Sequence, residues 1–370
     1  MDLPQLYTKP TAEALLSALS SLAIAPSSFK VYHGNDSEPQ IVGDASLDDD
    51  DMLSDASSIN EDRFPSYLTQ IVSNPLAWIE TDLTREKIWE AASKRLSERS
   101  GRTAMPSVSR IFTINIPASI VREDGLRQLK IELHEPSLTG DNLGHKTWVA
   151  SYLLATQLPT LLPRHFPMIT IQDSDDRPLI LELGAGTGLV GLAASGLFSS
   201  LISLTDLDTI VPNLRYNIEK NKHLTADTKS DVYASKLDWE DAAKEAQERK
   251  RRAQGSLQEY RYIDDTDKYK YDIIFAADSL YAVEHVDWLI KTMSSFLRKR
   301  SRSRIFVCLP LRPGSKYPGR FRESLGFEGF EVIEEGRMIG YDDWKTESGE
   351  AEEVECWWSV WKWASSRWSK

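Results

Sequence analysis

The stretch Leu179-Ile180-Leu181-Glu182-Leu183-Gly184-Ala185-Gly186-Thr187-Gly188 decides how this chain is read. Four apolar residues around Glu182, enough for one buried strand, run into three glycines at alternate positions, and a helical pattern follows at about 188–196. Glycines there let the backbone turn tightly and let a ligand lie against it with no Cβ in the way. Gly186-x-Gly188-x-x-Gly191 also matches the dinucleotide fingerprint, and Asp206 stands 20 residues beyond Gly186, where an acid could accept from ribose hydroxyls. Loop and acid together point to a nucleoside-type ligand. On their own they leave a nicotinamide dinucleotide and S-adenosylmethionine both open.

Working outward, a helix is expected at Thr147–Leu158 and strands near 178–183, 201–205, 232–237, 271–277 and 304–309, with helical segments between them. Alternating strands and helices imply βαβ units and a mainly parallel, doubly wound sheet. The end differs: Phe330-Glu331-Val332-Ile333 and Val354–Trp363 read as two consecutive strands, hence an antiparallel hairpin. The fold class is therefore α/β with seven strands in the main sheet. Ahead of it, 108–134 alternates in strand fashion around Glu123-Asp124-Gly125, a second hairpin. The domain reading is a helical extension at 1–107, a hairpin and lead-in at 108–143, and the main domain at 144–370.

Residues 11–24 carry Leu15, Leu16, Leu19 and Leu22 at helical spacing, and helix returns from Phe64 to Arg99. Residues 31–62 hold ten acids and no Lys or Arg, so roughly 34–62 reads as a weakly ordered acidic insertion. Without those ten acids the rest of the chain carries −2 rather than −12, which gives no electrostatic ground for tight binding to phosphate backbones. Residues 240–262 read as a charged, exposed, inserted helix. No apolar run reaches the ~18 residues a membrane span needs, and the two cysteines, Cys308 and Cys356, sit in apolar runs as core residues. A reducing compartment, most simply the cytoplasm, is expected.

Further residues choose between the two ligands. Glu182 stands two residues before the first glycine, and the third strand ends in Leu237-Asp238-Trp239, offering an acid for an adenine edge and an indole for its face. The fourth ends Ala277-Asp278-Ser279-Leu280-Tyr281. In open parallel sheets ligands bind beyond the carboxyl ends of strands near the switch in strand order, where Glu182, Asp206, Trp239 and Asp278 gather. Asp278 has a plainer alternative as the N-cap of a helix starting at Ser279. Trp148 has one as core, and Trp239 as surface packing. Trp357, Trp358, Trp361, Trp363 and Trp368 read as hairpin core, and the runs 249–252 and 298–302 as solvated basic faces.

Taken in order, Gly144-His145-Lys146-Thr147-Trp148, Glu182–Gly188, Thr205-Asp206 with Asn213, Asn217 and Asn221, Leu237-Asp238-Trp239 and Asp278-x-x-Tyr281 resemble the seven-β-strand (class I) protein lysine methyltransferases of the methyltransferase-like group. Leu133–Leu138 and the N-terminal extension look most like fungal members that act on translation elongation factor 2. The resemblance implies S-adenosyl-L-methionine as cofactor, contacted by Trp148, Glu182, Gly184, Ala185, Gly186, Gly188, Asp206, Asp238, Trp239 and Ala277. It implies Asp278 and Tyr281 as catalytic residues, no metal, a monomer, and a cytosolic protein substrate rather than nucleic acid or membrane. Methylation of a small amine or of RNA, and a non-catalytic cofactor-binding scaffold, are the competing readings. The absence of an Asn-Pro-Pro-Tyr tetrapeptide at 277–280 argues against adenine as acceptor.

Overall fold

A computed structural model describes residues 3–22, 29–32, 40–42, 63–97, 107–120, 125–137, 143–170, 177–255, 270–312, 315–345 and 351–365. Contacts divide the chain into two units. In the first, helices α1 (Ala12–Ser21), α2 (Arg63–Ser73) and α3 (Asp82–Ser97) share a core of Leu15, Leu19, Leu68, Ile71 and Ile88. The Thr11 hydroxyl caps α1 by accepting from the Ala14 amide at 3.2 Å. Trp78 and Trp89 each donate their indole N–H to a backbone carbonyl, of Pro10 and Asn74, so neither ring is buried with a polar atom unpaired.

The second unit is built on one sheet of β1 (Phe29–Tyr32), β2 (Gln40–Val42), β5 (Leu179–Leu183), β6 (Leu201–Asp206), β7 (Asp231–Lys236), β8 (Ile273–Ala277), β9 (Arg304–Pro310), β10 (Phe330–Lys345) and β11 (Ala351–Trp363). Their order is β2-β1-β10-β11-β9-β8-β5-β6-β7. Strands β5 to β9 pair in parallel, while β11 runs antiparallel to both β9 and β10. The seven expected strands are all there, and the order reverses between β5 and β8. Because β5 is covered on both faces, it is apolar except at Glu182: Ile180 joins one core, and Leu181 and Leu183 join the other. Helices α4 (Val149–His165) and α5 (Leu189–Leu197) cover the first face, and α9 (Val283–Phe296) and α10 (Tyr317–Glu328) cover the second. Each fully buried Leu or Ile contributes about 1.5–3 kcal/mol by leaving water. Cys308 and Cys356 are buried and free, as core residues should be.

Four details differ from the sequence reading. Residues 40–42, inside the stretch read as a weakly ordered insertion, form a strand that pairs with β1, which in turn extends the edge of β10. The remainder of 34–62 lies outside the described residues. Strand β10 reaches Lys345 rather than stopping at Ile333, its length masked by charges that face outward and pair, Glu335 with Arg322 and Arg337 with Glu355. Residues 239–255 form α8, packed along α9 with Ala243 buried, so this charged helix is the crossover that two parallel strands require. Lastly, the basic run at 298–302 is only partly solvated: the Arg298 side chain is 13% exposed, those of Arg300 and Arg302 39% and 40%. They surround Asp272, whose side chain is 3% exposed, at 2.5, 3.8 and 3.8 Å. A carboxylate removed from water needs such company.

The strands β3 (Val108–Asn115) and β4 (Gln128–Glu135) pair in a sheet of their own, as expected. Three asparagines one helical turn apart on α6 (Val211–Lys220) and at its end line β4 with amides in place of a further strand. Asn217 accepts from the His134 amide (2.8 Å) and donates to the His134 and Thr187 carbonyls (3.1 and 3.0 Å). Asn221 accepts from and donates to Glu132 (3.0 and 2.7 Å), and Asn213 donates to His134 (2.9 Å).

Candidate active site

The glycine loop leaves β5 with Gly184, Gly186 and Gly188 all at positive φ (69°, 57° and 93°). Two of these positions show why nothing larger fits. A Cβ on Gly184 would stand 2.9 Å from Cζ2 of the Trp239 indole, and one on Gly186 would stand 3.1 Å from the Gly144 carbonyl. The loop is thus walled by an indole on one side and crossed by the segment 144–148 on the other. That segment is held from β4: Glu135 accepts from the Thr147 amide at 3.0 Å and pairs with Arg110 at 3.3 Å, and the Thr147 and Thr187 hydroxyls meet at 2.7 Å.

Asp206, at the end of β6, accepts from the Gly186 amide at 2.8 Å and from the Leu207 amide at 2.7 Å, tying the loop to the neighbouring strand. Burial raises its pKa, against the two amides and His145, which lower it. Glu182 is 2% exposed and lies under the loop, accepting from the Gly191 amide at 2.8 Å in the first turn of α5. Burial carries its pKa up to about 8. Glu182 therefore meets the helix N-terminus rather than the ligand side of the loop. Asp238 likewise accepts from the Glu240 amide at 2.9 Å and caps α8.

Beyond β8 the chain departs from ordinary geometry. Asp278 has φ +48°, a conformation that a side chain other than glycine adopts at a cost. Its amide donates to the Cys308 carbonyl at 2.9 Å, and its side chain is only 2% exposed. Burial lifts its pKa to about 6, and Arg312 pulls it the other way. No helix starts at Ser279: α9 begins at Val283 with Ala282 as its N-cap residue, so the capping alternative for Asp278 is set aside. Four residues of extra loop place Tyr281 at the mouth, 39% exposed. Burial of its phenol oxygen, then repulsion from Asp278 and Asp206, pushes its pKa well above the usual value. Ala277 is buried at the strand end.

Two residues that the sequence reading passed over complete the site. The His285 imidazole meets the rings of Trp239, Tyr281 and Trp288 at 6.0, 5.7 and 5.7 Å, joining the wall of the glycine loop to the mouth. Burial lowers its pKa. Arg312, just past β9, lies 3.3 and 3.4 Å from the two Asp278 oxygens, with its guanidinium 5.5 Å from the centre of the Trp148 ring. Trp148 itself donates to the Leu143 carbonyl at 3.1 Å at the start of α4. The only sequence signal for Arg312 was its position after a strand of the parallel sheet.

Comparison with known proteins bears on this geometry. Residues 126–253, from β4 through α8, match the lysine methyltransferase family. Protein-lysine N-methyltransferase EFM2 of Saccharomyces cerevisiae is 31% identical over 307 residues, covering 78% of this chain and 64% of its own length. Protein-lysine N-methyltransferase rrg1 of Schizosaccharomyces pombe is 28% identical over 303 residues, 80% of this chain and 84% of its own. Over 126–253 the chain is similar to a lysine methyltransferase domain.

In the second unit, parallel pairing puts the glycine loop, Asp206, Trp239 and Asp278 at the carboxyl ends of β5 to β8, around the switch point in the strand order 7-6-5-8-9-11-10. The surroundings suit S-adenosylmethionine: an open glycine backbone, a ring wall and an acid at the end of β6. The chain spans just under two thirds of the yeast relative's length. Among described residues no helix is long and apolar enough to cross a membrane.

Proposed function

We propose that the protein is an S-adenosylmethionine-dependent protein-lysine N-methyltransferase of the cytoplasm, acting as a monomer on a translation elongation factor, with elongation factor 2 favoured. The observation that carries this reading is Asp278, an acid buried at the switch point in a strained backbone conformation, with Tyr281 three residues on in the loop that follows. A carboxylate there suits a cationic amine better than a neutral base or hydroxyl. The names of the two fungal relatives support a lysine acceptor. When bound, S-adenosylmethionine supplies a methyl group on a sulfonium, taken by in-line displacement. Gly184, Ala185, Gly186 and Asp206 would hold the adenosine and ribose, with Trp239 against the adenine and Trp148 near the opposite rim.

Asp278 would receive the lysine ammonium and orient it, and Tyr281 would wall the channel with its ring toward the cation. A lysine amine attacks only after losing a proton, and its free pKa is about 10.4, so proton loss to water must precede transfer. Most of the rate then comes from alignment and exclusion of water. The test is transfer of radiolabelled methyl from S-adenosylmethionine into a cell lysate, with and without protease or nuclease, followed by mass spectrometry of the labelled species. Methyl-lysine in a protease-sensitive product is expected. Label confined to nuclease-sensitive or small-molecule fractions would overturn the reading.

A further inference from the structure

The side chains of Arg312, Asp278 and Trp148 form a three-part arrangement that positioning of a lysine does not by itself require. Arg312 reaches the carboxylate from just past β9, and its side chain is 47% exposed against 2% for Asp278. Its contacts of 3.3 and 3.4 Å to both oxygens are longer than the ~2.7–2.9 Å of a tight charge-assisted bond. Behind it the Trp148 ring offers a face at 5.5 Å, a second resting place for a planar cation.

We propose that Arg312 is a displaceable counter-ion: it occupies the acceptor-cation position on Asp278 in the free protein and withdraws to the face of Trp148 when a primary ammonium arrives. Arg312 is thus a positioning residue that acts through Asp278, and the inference rests on the reading of Asp278 as the acceptor's carboxylate. Three features favour exchange over a permanent pair. The carboxylate is enclosed while the guanidinium is half in water, so the arginine can leave without being stranded. The pair is loose, so the ammonium can outbid it with shorter bonds. The vacated guanidinium keeps a partner in the indole. A permanently bare Asp278 would instead have to hold its charge in a nearly water-free place, which favours protonation and loss of its hold on the lysine. The titratable groups facing Asp278 are Arg312, Tyr281 and Cys308, with Asp206 beyond Tyr281 and His285 beside it.

The test uses the full chain with Arg312→Gln and, to restore the charge, Arg312→Lys. The first readout needs no turnover: the Asp278 carboxyl, labelled with carbon-13 and assigned by its loss in Asp278→Asn, is titrated by NMR in the free protein. In Arg312→Gln its midpoint should move upward by about one pH unit, and in Arg312→Lys it should return toward wild type. The acid limb of the pH–rate profile should move with it. On the alkaline plateau the KM for the protein substrate should fall about two- to fivefold in Arg312→Gln, the scale of a partly exposed ion pair that no longer has to be broken. An unmoved Asp278 midpoint would overturn the pairing, and a tenfold rise in KM would show that Arg312 grips the substrate instead. If no protein accepts methyl from the wild type, it is the proposed function that fails, while the NMR titration still decides whether Arg312 serves Asp278.

Discussion

Asp278→Asn separates the role of charge from that of shape. Asparagine tolerates the left-handed backbone that residue 278 adopts (φ +48°) and keeps the side-chain outline. The stability cost should be small, about 0–1 kcal/mol, because the lost ion pair has a partner that is 47% exposed and returns to water. The sign even reverses with pH. The folded pKa is raised from the ordinary 3.8 to about 6, so the buried acid stabilises least once pH rises through 6. The asparagine variant should therefore melt at or above the wild-type temperature at pH 8. Turnover should fall by about 10²-fold or more, or ~2.7 kcal/mol in the barrier, because the acceptor amine loses the charge that orients it. The wild-type profile should rise through about pH 6 as Asp278 ionises, and the variant should lack that limb. Calorimetric titration with S-adenosylmethionine should show affinity within a few-fold of wild type. An asparagine variant that methylates the protein substrate at full rate would refute the assignment.

Three further outcomes are expected. Asp206→Ala should weaken cofactor affinity by roughly 10- to 150-fold by calorimetry, since it removes both the acid and the tie to the Gly186 amide; unchanged affinity would remove the site from the glycine loop. Glu182→Gln keeps an acceptor for the Gly191 amide but no longer titrates. Because the raised pKa of about 8 costs wild type stability as pH climbs from 4.5 to 8, the melting temperature of the variant should fall less over that range, and parallel curves would contradict the buried-acid account. Asn217→Ala strands the His134 amide and the Thr187 carbonyl, while the His134 carbonyl keeps Asn213, so a loss of about 2–3 kcal/mol in denaturant unfolding is expected, and a loss below 1 kcal/mol would mean the ladder is ornamental.

The elements of the main domain could be read from local pattern because each is driven by a short-range cause. Strand β5 is buried on both faces and so is apolar at every position but Glu182, while α5 follows glycines that terminate a strand. Strand β10 was underread because its outward positions carry Glu335 and Arg337, whose partners stand on other elements. The acids were found but not their duties. That Glu182 and Asp238 each meet a backbone amide at a helix start depends on where each side chain points once the turn is made.

By itself the sequence determined the alternation of strand and helix, the glycine loop, and which acids and indoles end the strands, since these follow from periodicity and from backbone limits on single residues. The tertiary structure alone decided which of those groups face one another. Arg312 is 34 positions from Asp278, and Asn217 is 83 from His134, so no local pattern couples them. Parallel pairing brings the carboxyl ends of β5 to β9 to one edge, and the reversal of strand order between β5 and β8 opens the crevice there. There a carboxylate shut away from water, a loose guanidinium and an indole share a space that none of their neighbours in the chain could have specified.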